Sequence, residues 1–272
     1  MKTLQDIQKD GWESGINQVW NADCLEAMKL LPDKCVDLVV TSPPYGDIRD
    51  YDGYVFNFKN LANELFRVIK DGGVVVWVVG DQTKDGDESG ESFKQALFFK
   101  EIGMRLHDTM IYNKGKVVFP DSNRYHPCFE YMFVFSKGSP KSINLIRDRK
   151  NKWTQSWGKR TFRQKNGERK QKDVIKLEEV GVRYNIWTIK NGFMHTTKDN
   201  YAFEHPAMFP EELVRDHIIS WSNKGDLVLD PMNGSGTTSK MAKHSGRNFI
   251  GIEISEKYCK IAEKRLAQGV LF

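Results

Sequence analysis

Two short segments of this sequence carry side chains that could do chemistry. The first is the loop 41–45, Thr-Ser-Pro-Pro-Tyr, which directly follows the apolar run 36–40. Each proline fixes its φ near about −65° and lacks a backbone N–H, so the loop carbonyls are held as outward acceptors. Ser42 and the Pro43 carbonyl could each accept a hydrogen from an amino group, and Tyr45 could stack on a planar ring. The loop therefore suits an exocyclic amine on a planar base, although a Pro-Pro-Tyr turn can also simply end a strand.

The second segment is the run 230–238, Asp-Pro-Met-Asn-Gly-Ser-Gly-Thr-Thr, at the end of a short apolar run. A strand, a Gly-x-Gly turn and a helix form a nucleotide-type cofactor site, since glycine lets a ligand approach the backbone closely. Asp230 would repel a pyrophosphate and attract a cation. Glu253 follows 23 residues later, a spacing at which a carboxylate can bind the hydroxyls of a ribose. S-adenosylmethionine has a ribose, positive charge and no phosphate, and fits this pattern; the alternative is that both acids only cap turns.

The elements that must position these segments alternate along the chain. Strands are predicted at 17–22, 36–40, 74–79, 106–112, 129–135, 227–230 and 249–252, and helices at 24–31, 58–70, 93–102, 211–220, 237–244 and from about 256. Asp71-Gly72-Gly73 is predicted to end the second helix, and Ser255 to cap the last one. This alternation predicts an α/β fold with both loops at the carboxyl edge of a parallel sheet.

Length and composition bound the possibilities. The 272 residues, 39% of them hydrophobic, fit one α/β domain with an insertion better than two domains. The longest apolar run, 74–79, is too short to cross a bilayer and the first 15 residues lack the apolar core of a signal peptide, which predicts a soluble, cytoplasmic protein. The four cysteines form no Cys-x-x-Cys pair, which predicts reduced thiols and no metal site.

The positive charge is concentrated in one segment. Residues 137–176 contain 14 lysines and arginines against three acids, a local net charge of +11, so the rest of the chain carries −6 of the overall +5. A localised basic segment on an otherwise acidic protein indicates a polyanionic partner. The alternative is a solvated or disordered charged segment that attracts anions without specificity.

The loop 41–45 and the run 230–238 together resemble the DNA amino-methyltransferases, which transfer a methyl group from S-adenosylmethionine to N4 of cytosine or N6 of adenine. The proline loop precedes the glycine loop, as in the circularly permuted group called beta. The resemblance implies a Rossmann-like, seven-stranded sheet, mostly parallel with one antiparallel strand, for which 129–135 is the candidate. It also implies a catalytic half at 1–136, a basic target-recognition insertion at 137–183, and a cofactor-binding half at 184–272.

The resemblance assigns roles to individual residues. Ser42, Pro43, Pro44 and Tyr45 would form the catalytic loop. Asp230, Gly234 and Gly236 would bind the methionine part of the cofactor, Glu253 the ribose and Asp23 the adenine. Thr41, Phe209, Met232, Ser235 and Thr237 would complete the cofactor site, although Met232 stands where an aromatic residue is usual. The predicted DNA-binding residues are Arg147, Arg149, Lys150, Lys159, Arg160, Arg163, Arg169 and Lys170.

An amine inside a duplex is out of reach, so the resemblance implies that double-stranded DNA is bound and the target nucleotide flipped. Serine before Pro-Pro-Tyr favours cytosine N4, with adenine N6 as the alternative. Methylation of a protein glutamine, a catalytically silent DNA-binding protein and a C5-cytosine enzyme using Cys128 are further alternatives with less support. The recognition sequence, a homodimer, a cognate restriction endonuclease, and a prokaryotic or phage origin stay open.

Overall fold

The fold was determined as a computed structural model that describes residues 1–44, 56–115, 123–152, 160–172 and 178–268. The strands of the main sheet are β1 (Lys2–Thr3), β2 (Gln18–Asn21), β3 (Val36–Thr41), β4 (Ile69–Val79), β7 (Arg105–Asn113), β8 (Phe129–Ser136), β13 (Ile186–Thr188), β14 (Leu227–Asp230) and β15 (Asn248–Glu253). The helices are α1 (Leu4–Asp10), α2 (Cys24–Met28), α3 (Phe58–Val68), α4 (Glu91–Glu101), α5 (Glu211–Trp221), α6 (Thr237–His244) and α7 (Glu256–Leu266). Short strands β5 (Thr83–Lys84) and β6 (Asp87–Glu88) form a separate hairpin.

The sheet has the order β1-β2-β15-β14-β3-β4-β8-β7-β13. Strand β8 runs antiparallel to both of its neighbours, and the other pairings are parallel. The predicted seven strands are therefore confirmed, with 129–135 as the antiparallel one. Two short strands that the sequence did not predict, β1 and β13, lie at the two edges. The parallel strands β3, β4 and β14 end at the same edge, so both chemistry-bearing loops lie there.

Strand β4 begins earlier than its apolar run indicates. The sequence predicts helix to residue 70 and strand from 74, whereas α3 ends at Val68 and β4 starts at Ile69. The first reason is that Ile69 pairs with Val36 of β3. The second is backbone pairing of the glycines with the residue after β8. The Gly72 N–H donates to the Lys137 carbonyl at 2.6 Å, and the Lys137 N–H donates to the Gly73 carbonyl at 3.1 Å. These long-range bonds extend the strand through two glycines that would be expected to form a turn.

The sheet separates two apolar cores. One face packs against α2, α3 and α4 and includes Trp77 and Phe99, whose rings lie edge to face 5.2 Å apart. The other face packs against α5 and α6 and includes Val40 and Trp221. Residues that alternate along β3 and β4 enter opposite cores, as period-2 geometry requires. Burial on both faces explains why the runs 38–40 and 74–79 are continuously apolar.

A second compact unit spans Leu145–Tyr184, and the larger unit comprises the rest of the chain. The smaller unit contains two antiparallel pairs: β9 (Arg147–Lys150) with β12 (Val180–Val182), and β10 (Arg160–Arg163) with β11 (Arg169–Lys172). It begins later than the predicted insertion at 137. The segment from Ser136 to Asn144 belongs to the larger unit, where the Asn144 N–H donates to the Ser220 carbonyl at 2.8 Å.

Within the described part of the chain, no helix has both the length and the apolar character needed to cross a membrane.

Candidate active site

The proline loop and the glycine loop are joined by a buried hydrogen bond at their bases. Thr41 is the last residue of β3 and Asp230 the last residue of β14, and the two strands are parallel neighbours. The Thr41 hydroxyl donates to Asp230 Oδ1 at 2.8 Å, and both side chains are almost fully buried. Two segments 189 residues apart in sequence therefore share one wall of a single site.

Asp230 is a buried carboxylate with only neutral partners among the described residues. Besides Thr41, the Met232 N–H donates to Oδ1 at 3.1 Å. Burial raises the pKa of Asp230 to about 6, and the hydrogen bonds from Thr238, Thr41 and the Met232 N–H offset only part of this effect. No lysine or arginine in the described ranges pairs with it. A cationic ligand beside Asp230 would supply the missing counter-charge and lower its pKa.

Glu253 supports the glycine loop from the neighbouring strand, β15. Its Oε2 accepts the Gly234 N–H and its Oε1 accepts the Ser255 N–H, each at 2.8 Å. Burial raises the pKa of Glu253, these backbone bonds oppose the increase, and the charge of Asp230 adds to it. Each carboxylate oxygen retains acceptor capacity for a second donor, which is what a pair of ribose hydroxyls would require.

Two glycines allow the loop to fit between its neighbours. Gly236 has φ +83°, and a Cβ there would lie 2.6 Å from the Cβ of Ala262 on α7. Gly234 has φ +49°, and a Cβ there would lie 2.8 Å from Nε2 of His205. Side chains are excluded at both positions by space as well as by conformation. His205, which the sequence gives no role, therefore packs directly on the loop.

The glycine loop contacts a buried charge network that the sequence did not predict. We define this network as Asp199, Glu211, Lys240 and Arg265, which are contributed by a loop, α5, α6 and α7 respectively. Burial raises the pKa of Asp199, but bonds from Lys240, Arg265 and Gln268 outweigh it and lower this pKa to about 2. The same competition lowers the pKa of Glu211, so both carboxylates are ionised at neutral pH.

A sequence signal for the network does exist. Arg265 falls on the same helical face as Ile261 and Ala262, which are predicted to be buried, and the structure shows that its side chain has no solvent exposure. A charged residue on a buried helix face requires an opposite charge nearby. The sequence does not reveal that the partners are Asp199 and Glu211.

The remaining predicted cofactor residues each contact a helix end, an apolar core or Arg265. Asp23 caps α2, accepting the Leu25 and Glu26 N–H groups at 2.9 and 3.1 Å. Met232 packs against the core that contains Trp77, and Phe209 against the opposite core. Ser235 and Thr237 direct their hydroxyl oxygens toward Arg265. A cofactor-binding role for each of these side chains stays a prediction.

The proline loop is described in part. Ser42 and Pro44 are half-buried and Pro43 is buried directly after β3, whereas the predicted stacking residue Tyr45 lies outside the described residues. The structure thus places the predicted hydrogen acceptors, Ser42 and the Pro43 carbonyl, next to the Thr41–Asp230 bond.

The predicted DNA-binding residues lie in the smaller unit. Arg147 pairs with Glu178, and the Arg149 guanidinium lies 4.7 Å from the centre of the Tyr184 ring. In the β10–β11 hairpin, Arg163 and Arg169 are directly opposite each other and both are exposed. Lys150 ends β9, and Lys170 faces Phe162 across the hairpin. Lys159 lies outside the described residues, and of Arg160 only its backbone pairing with Lys172 is described.

These residues fit S-adenosylmethionine chemically. Asp230 is a buried acid without a cationic partner in the described ranges, and Glu253 has free acceptor capacity beside a glycine turn. A sulfonium and an ammonium group satisfy the first requirement, and a ribose satisfies the second. The arrangement brings a site for a cationic donor next to a loop of hydrogen acceptors suited to an amine.

A family model described as DNA methylase matches residues 36–264. The orphan methyltransferase M.BamHII of Bacillus amyloliquefaciens is 58% identical over 245 residues, which cover 88% of this chain and 91% of that protein. The solved PvuII DNA methyltransferase (cytosine-N4-specific) matches with a TM-score of 0.69 at 20% identity, covering 93% of this chain and 87% of that one. The M1.HpyAVI–SAM complex matches with a TM-score of 0.61 at 22% identity, covering 92% and 98%. The two structural matches show the predicted α/β fold.

Proposed function

This chain belongs to the DNA methylase family, and we propose that it methylates N4 of cytosine in double-stranded DNA, with S-adenosylmethionine as the methyl donor. It is a DNA methyltransferase, and the finer proposal concerns the target base and the residues that act on it. The bound cofactor supplies an electrophilic methyl group on a sulfonium. The residues of this chain must bind that cation, hold the amine in line with it, and keep both in place.

The observation that carries the proposal is the buried bond between Thr41 and Asp230. Asp230 begins the glycine loop, which favours a cation, and Thr41 begins the proline loop, which favours an amine. Because one hydrogen bond joins the two, the cofactor loop and the amine-binding loop have a fixed relative position. Fixed positioning of two reactants accounts for much of the rate of a simple displacement reaction.

The acceptors of the proline loop would prepare the amine for attack. The lone pair of an exocyclic amine is delocalised into the ring, which makes it a poor nucleophile. If Ser42 and the Pro43 carbonyl accept its two hydrogens, the nitrogen becomes more tetrahedral and its lone pair turns toward the methyl group. Tyr45 would stack on the flipped base. Proton loss from the methylated nitrogen follows as a late step, so no covalent enzyme intermediate is needed.

Ser42 supports cytosine N4 as the target. In the family that this chain resembles, serine before Pro-Pro-Tyr favours cytosine N4. Its neutral hydroxyl can accept one hydrogen from an amino group while donating to a neighbouring ring nitrogen, which either base offers. The PvuII enzyme is described as cytosine-N4-specific, and that property belongs to that protein. At 20% identity, it supports cytosine as the target of this chain only through the shared fold. Adenine N6, whose amine also lies beside a ring nitrogen, is the second candidate.

The β10–β11 hairpin supports double-stranded DNA as the substrate. Arg163 opposite Arg169 places two positive charges together at an exposed site, an arrangement that destabilises a strand pair in the absence of anions. Phosphates would neutralise the pair, and a two-stranded ribbon fits the major groove. Arg147, Arg149, Lys150, Lys159, Arg160 and Lys170 are proposed as further contacts. A homodimer, a cognate restriction endonuclease and a cytoplasmic, DNA-associated location stay predictions.

The test identifies the methylated base. Purified protein is incubated with S-adenosylmethionine carrying a labelled methyl group and with unmethylated DNA, which is then digested to nucleosides for mass spectrometry. Label in N4-methylcytosine is the expected result. Label in N6-methyladenine would retain the site and the reaction but reverse the base. Absence of label in DNA, with cofactor binding demonstrated by calorimetry, would contradict the proposal.

A variant of Ser42 tests whether the proline loop takes part in methyl transfer. Ser42→Ala removes the hydroxyl that is proposed to accept an amine hydrogen, and should lower kcat by roughly 10- to 100-fold, the range typical for one hydrogen bond in a transition state. The control is Ser14→Ala, a distant serine whose hydroxyl bonds only to the Gly11 carbonyl among the described contacts. Equal rates for Ser42→Ala and the control would refute the role of Ser42.

A further inference from the structure

Arg265 contacts the glycine loop from beneath. Its Nη1 donates to the Ser235 carbonyl at 2.9 Å, to the Ser235 hydroxyl at 3.2 Å and to the Thr237 hydroxyl at 3.0 Å. The residue lies on α7, one turn after Ala262, which would meet any side chain at position 236. Helix α7 therefore lies directly beneath the turn and contacts three of its consecutive residues.

The rest of the guanidinium group is held by the buried charge network. Nε donates to Asp199 Oδ2 at 2.9 Å, and Nη2 donates to Glu211 Oε1 at 2.6 Å. A planar guanidinium with all its donors engaged has no freedom to move away from the loop. The two carboxylates thus fix the orientation in which Arg265 presents Nη1 to the turn.

Lys240 has the same two carboxylate partners as Arg265. Its Nζ donates to Asp199 Oδ2 at 2.7 Å and to Glu211 Oε1 at 2.9 Å, and its side chain is 8% exposed. None of the contacts described for its ammonium reaches the glycine loop. Among the described contacts, Arg265 and Lys240 thus share their acid partners, but only the Arg265 side chain bonds to the loop. Lys240 meets the loop through its backbone N–H, which donates to the Gly236 carbonyl at 3.0 Å and is retained in Lys240→Gln.

We propose that Arg265 is a positioning residue for the cofactor: it holds the Gly234–Thr237 turn in the conformation that binds S-adenosylmethionine. This inference rests on the proposed function, since it concerns the same cofactor site. Arg265 does not touch the reacting atoms, and it acts through Ser235 and Thr237. Without it, the turn would populate other conformations, and the apparent affinity for the cofactor would decrease by the fraction of time spent in them.

The matched pair Arg265→Gln and Lys240→Gln tests the proposal. Either change leaves Asp199 and Glu211 with one cationic partner in place of two. Both variants should therefore lose thermal stability, as expected when one partner of a buried ion network is removed. Only Arg265→Gln also releases the loop. Calorimetric titration with S-adenosylmethionine in the absence of DNA should give a Kd at least tenfold higher for Arg265→Gln than for Lys240→Gln, at comparable loss of Tm.

Steady-state kinetics give a second readout. Arg265→Gln should raise KM for S-adenosylmethionine at least tenfold and leave kcat at saturating cofactor within about threefold of wild type, because the groups at the reacting centre are intact. Arg265→Lys serves if the glutamine variant does not fold. It retains a cation for both acids but lacks the fork that reaches the loop, so it should raise Kd while losing less Tm than Lys240→Gln.

The outcomes separate the possible failures. An equal Kd for the Arg265 and Lys240 variants would overturn the proposal, because Arg265 would then be no more than a structural ion-pair partner. A low kcat with unchanged Kd would overturn it as well. If the wild-type protein itself does not bind S-adenosylmethionine in the same titration, the proposed function fails and not merely the role of Arg265. Lys260→Gln, at an exposed position on the same helix, should match wild type in every measurement.

Discussion

The glycine loop and the β10–β11 hairpin are both expected to bind a charged ligand, but the structure holds them in opposite ways. The loop is buried, its glycines fit against α7 and His205, and its backbone is bonded to Glu253 and Arg265. The hairpin is exposed and sets Arg163 against Arg169. The cofactor site is therefore organised before its ligand arrives, whereas the hairpin requires an anion to relieve its own repulsion.

Removing the carboxylate of Asp230 should have the largest effect. Asp230→Asn keeps the size of the side chain but removes the buried negative charge, so affinity for S-adenosylmethionine should decrease about 100-fold, the upper range for a hydrogen bond to a charged group. Calorimetry measures this change. DNA affinity measured by fluorescence anisotropy should be unaffected, and a parallel loss there would show that the two regions are not independent.

The pH dependence of cofactor binding tests the role of the Asp230 charge. The cation should bind the ionised form of Asp230, whose pKa in the free protein is raised by burial to about 6. Affinity for S-adenosylmethionine should therefore decrease as pH falls below about 6, approaching tenfold per pH unit. Asp230→Asn should abolish this dependence. A profile in the variant with the same midpoint as wild type would assign the titration to another group.

The stability of the cofactor-free protein should depend on pH in the opposite direction. A carboxyl whose pKa is higher in the folded than in the unfolded protein binds more protons when folded, so its contribution to stability is lost as pH rises from about 4 through 6. The protein without cofactor should lose Tm over this range, and Asp230→Asn should lose less. Differential scanning fluorimetry at pH 4, 5, 6 and 7 makes the comparison.

Thr41→Val should have an intermediate effect. The change keeps the shape of the side chain but removes a donor to Asp230, and one such bond accounts for about a tenfold loss of kcat/KM. Because the Thr41 bond lowers the pKa of Asp230, its removal should also move the midpoint of the cofactor-binding profile to higher pH. An unchanged midpoint would mean that Thr41 does not act through Asp230.

Neutralising the hairpin should weaken DNA binding alone. In the double variant Arg163→Gln, Arg169→Gln, the slope of log affinity for DNA against log salt concentration should become shallower by roughly two, at about 0.9 per phosphate contact. Tm should stay constant or rise, since like charges are removed. The control removes two exposed lysines of the larger unit, Lys29 and Lys260. An equal change in slope for both would indicate attraction by net charge only.

Ser255→Ala should have the smallest effect. Ser255 occupies the N-cap of α7, but no side-chain capping bond is formed there, so the variant should stay within about 0.5 kcal/mol of wild-type stability. Thr3→Ala, which removes a complete capping box from α1, should cost about 1 kcal/mol. Chemical denaturation compares the two. A larger cost at Ser255 would show that α7 depends on its cap as well as on Arg265.

Local patterns were sufficient to predict much of the fold and to place the two candidate loops at one edge of the sheet. The strand 36–40 and the proline loop that follows it are neighbours in sequence, as are β14 and the glycine loop, so apolar runs and backbone chemistry reveal them. Ser255 was placed correctly at a helix start, but its side chain makes no capping bond; its N–H donates to Glu253 instead. The predicted start of β4 was wrong because it depends on pairing of Ile69 with Val36 and of the following glycines with Lys137, both remote in sequence.

The buried charge network could not be predicted for the same reason. Asp199 and Arg265 are 66 residues apart, and Glu211 and Arg265 are 54 apart. Arg265 is recognisable as a charge on a buried helix face, but Asp199 and Glu211 each resemble an ordinary surface charge. Only the packing of α5, α6 and α7 around one loop removes them from water and makes them partners.

The position of β14 between β3 and β15 has a consequence for the synthesis of the protein. Thr41 and Asp230 are 189 residues apart, so at about 5 to 20 residues per second a ribosome needs roughly 10 to 40 s to deliver β14 after β3 has been made. Throughout that interval β3 presents an unpaired apolar edge, which attracts other strands. Chaperone occupancy of nascent chains should therefore persist until β14 emerges, and the growing chain cannot bind the methyl donor before then.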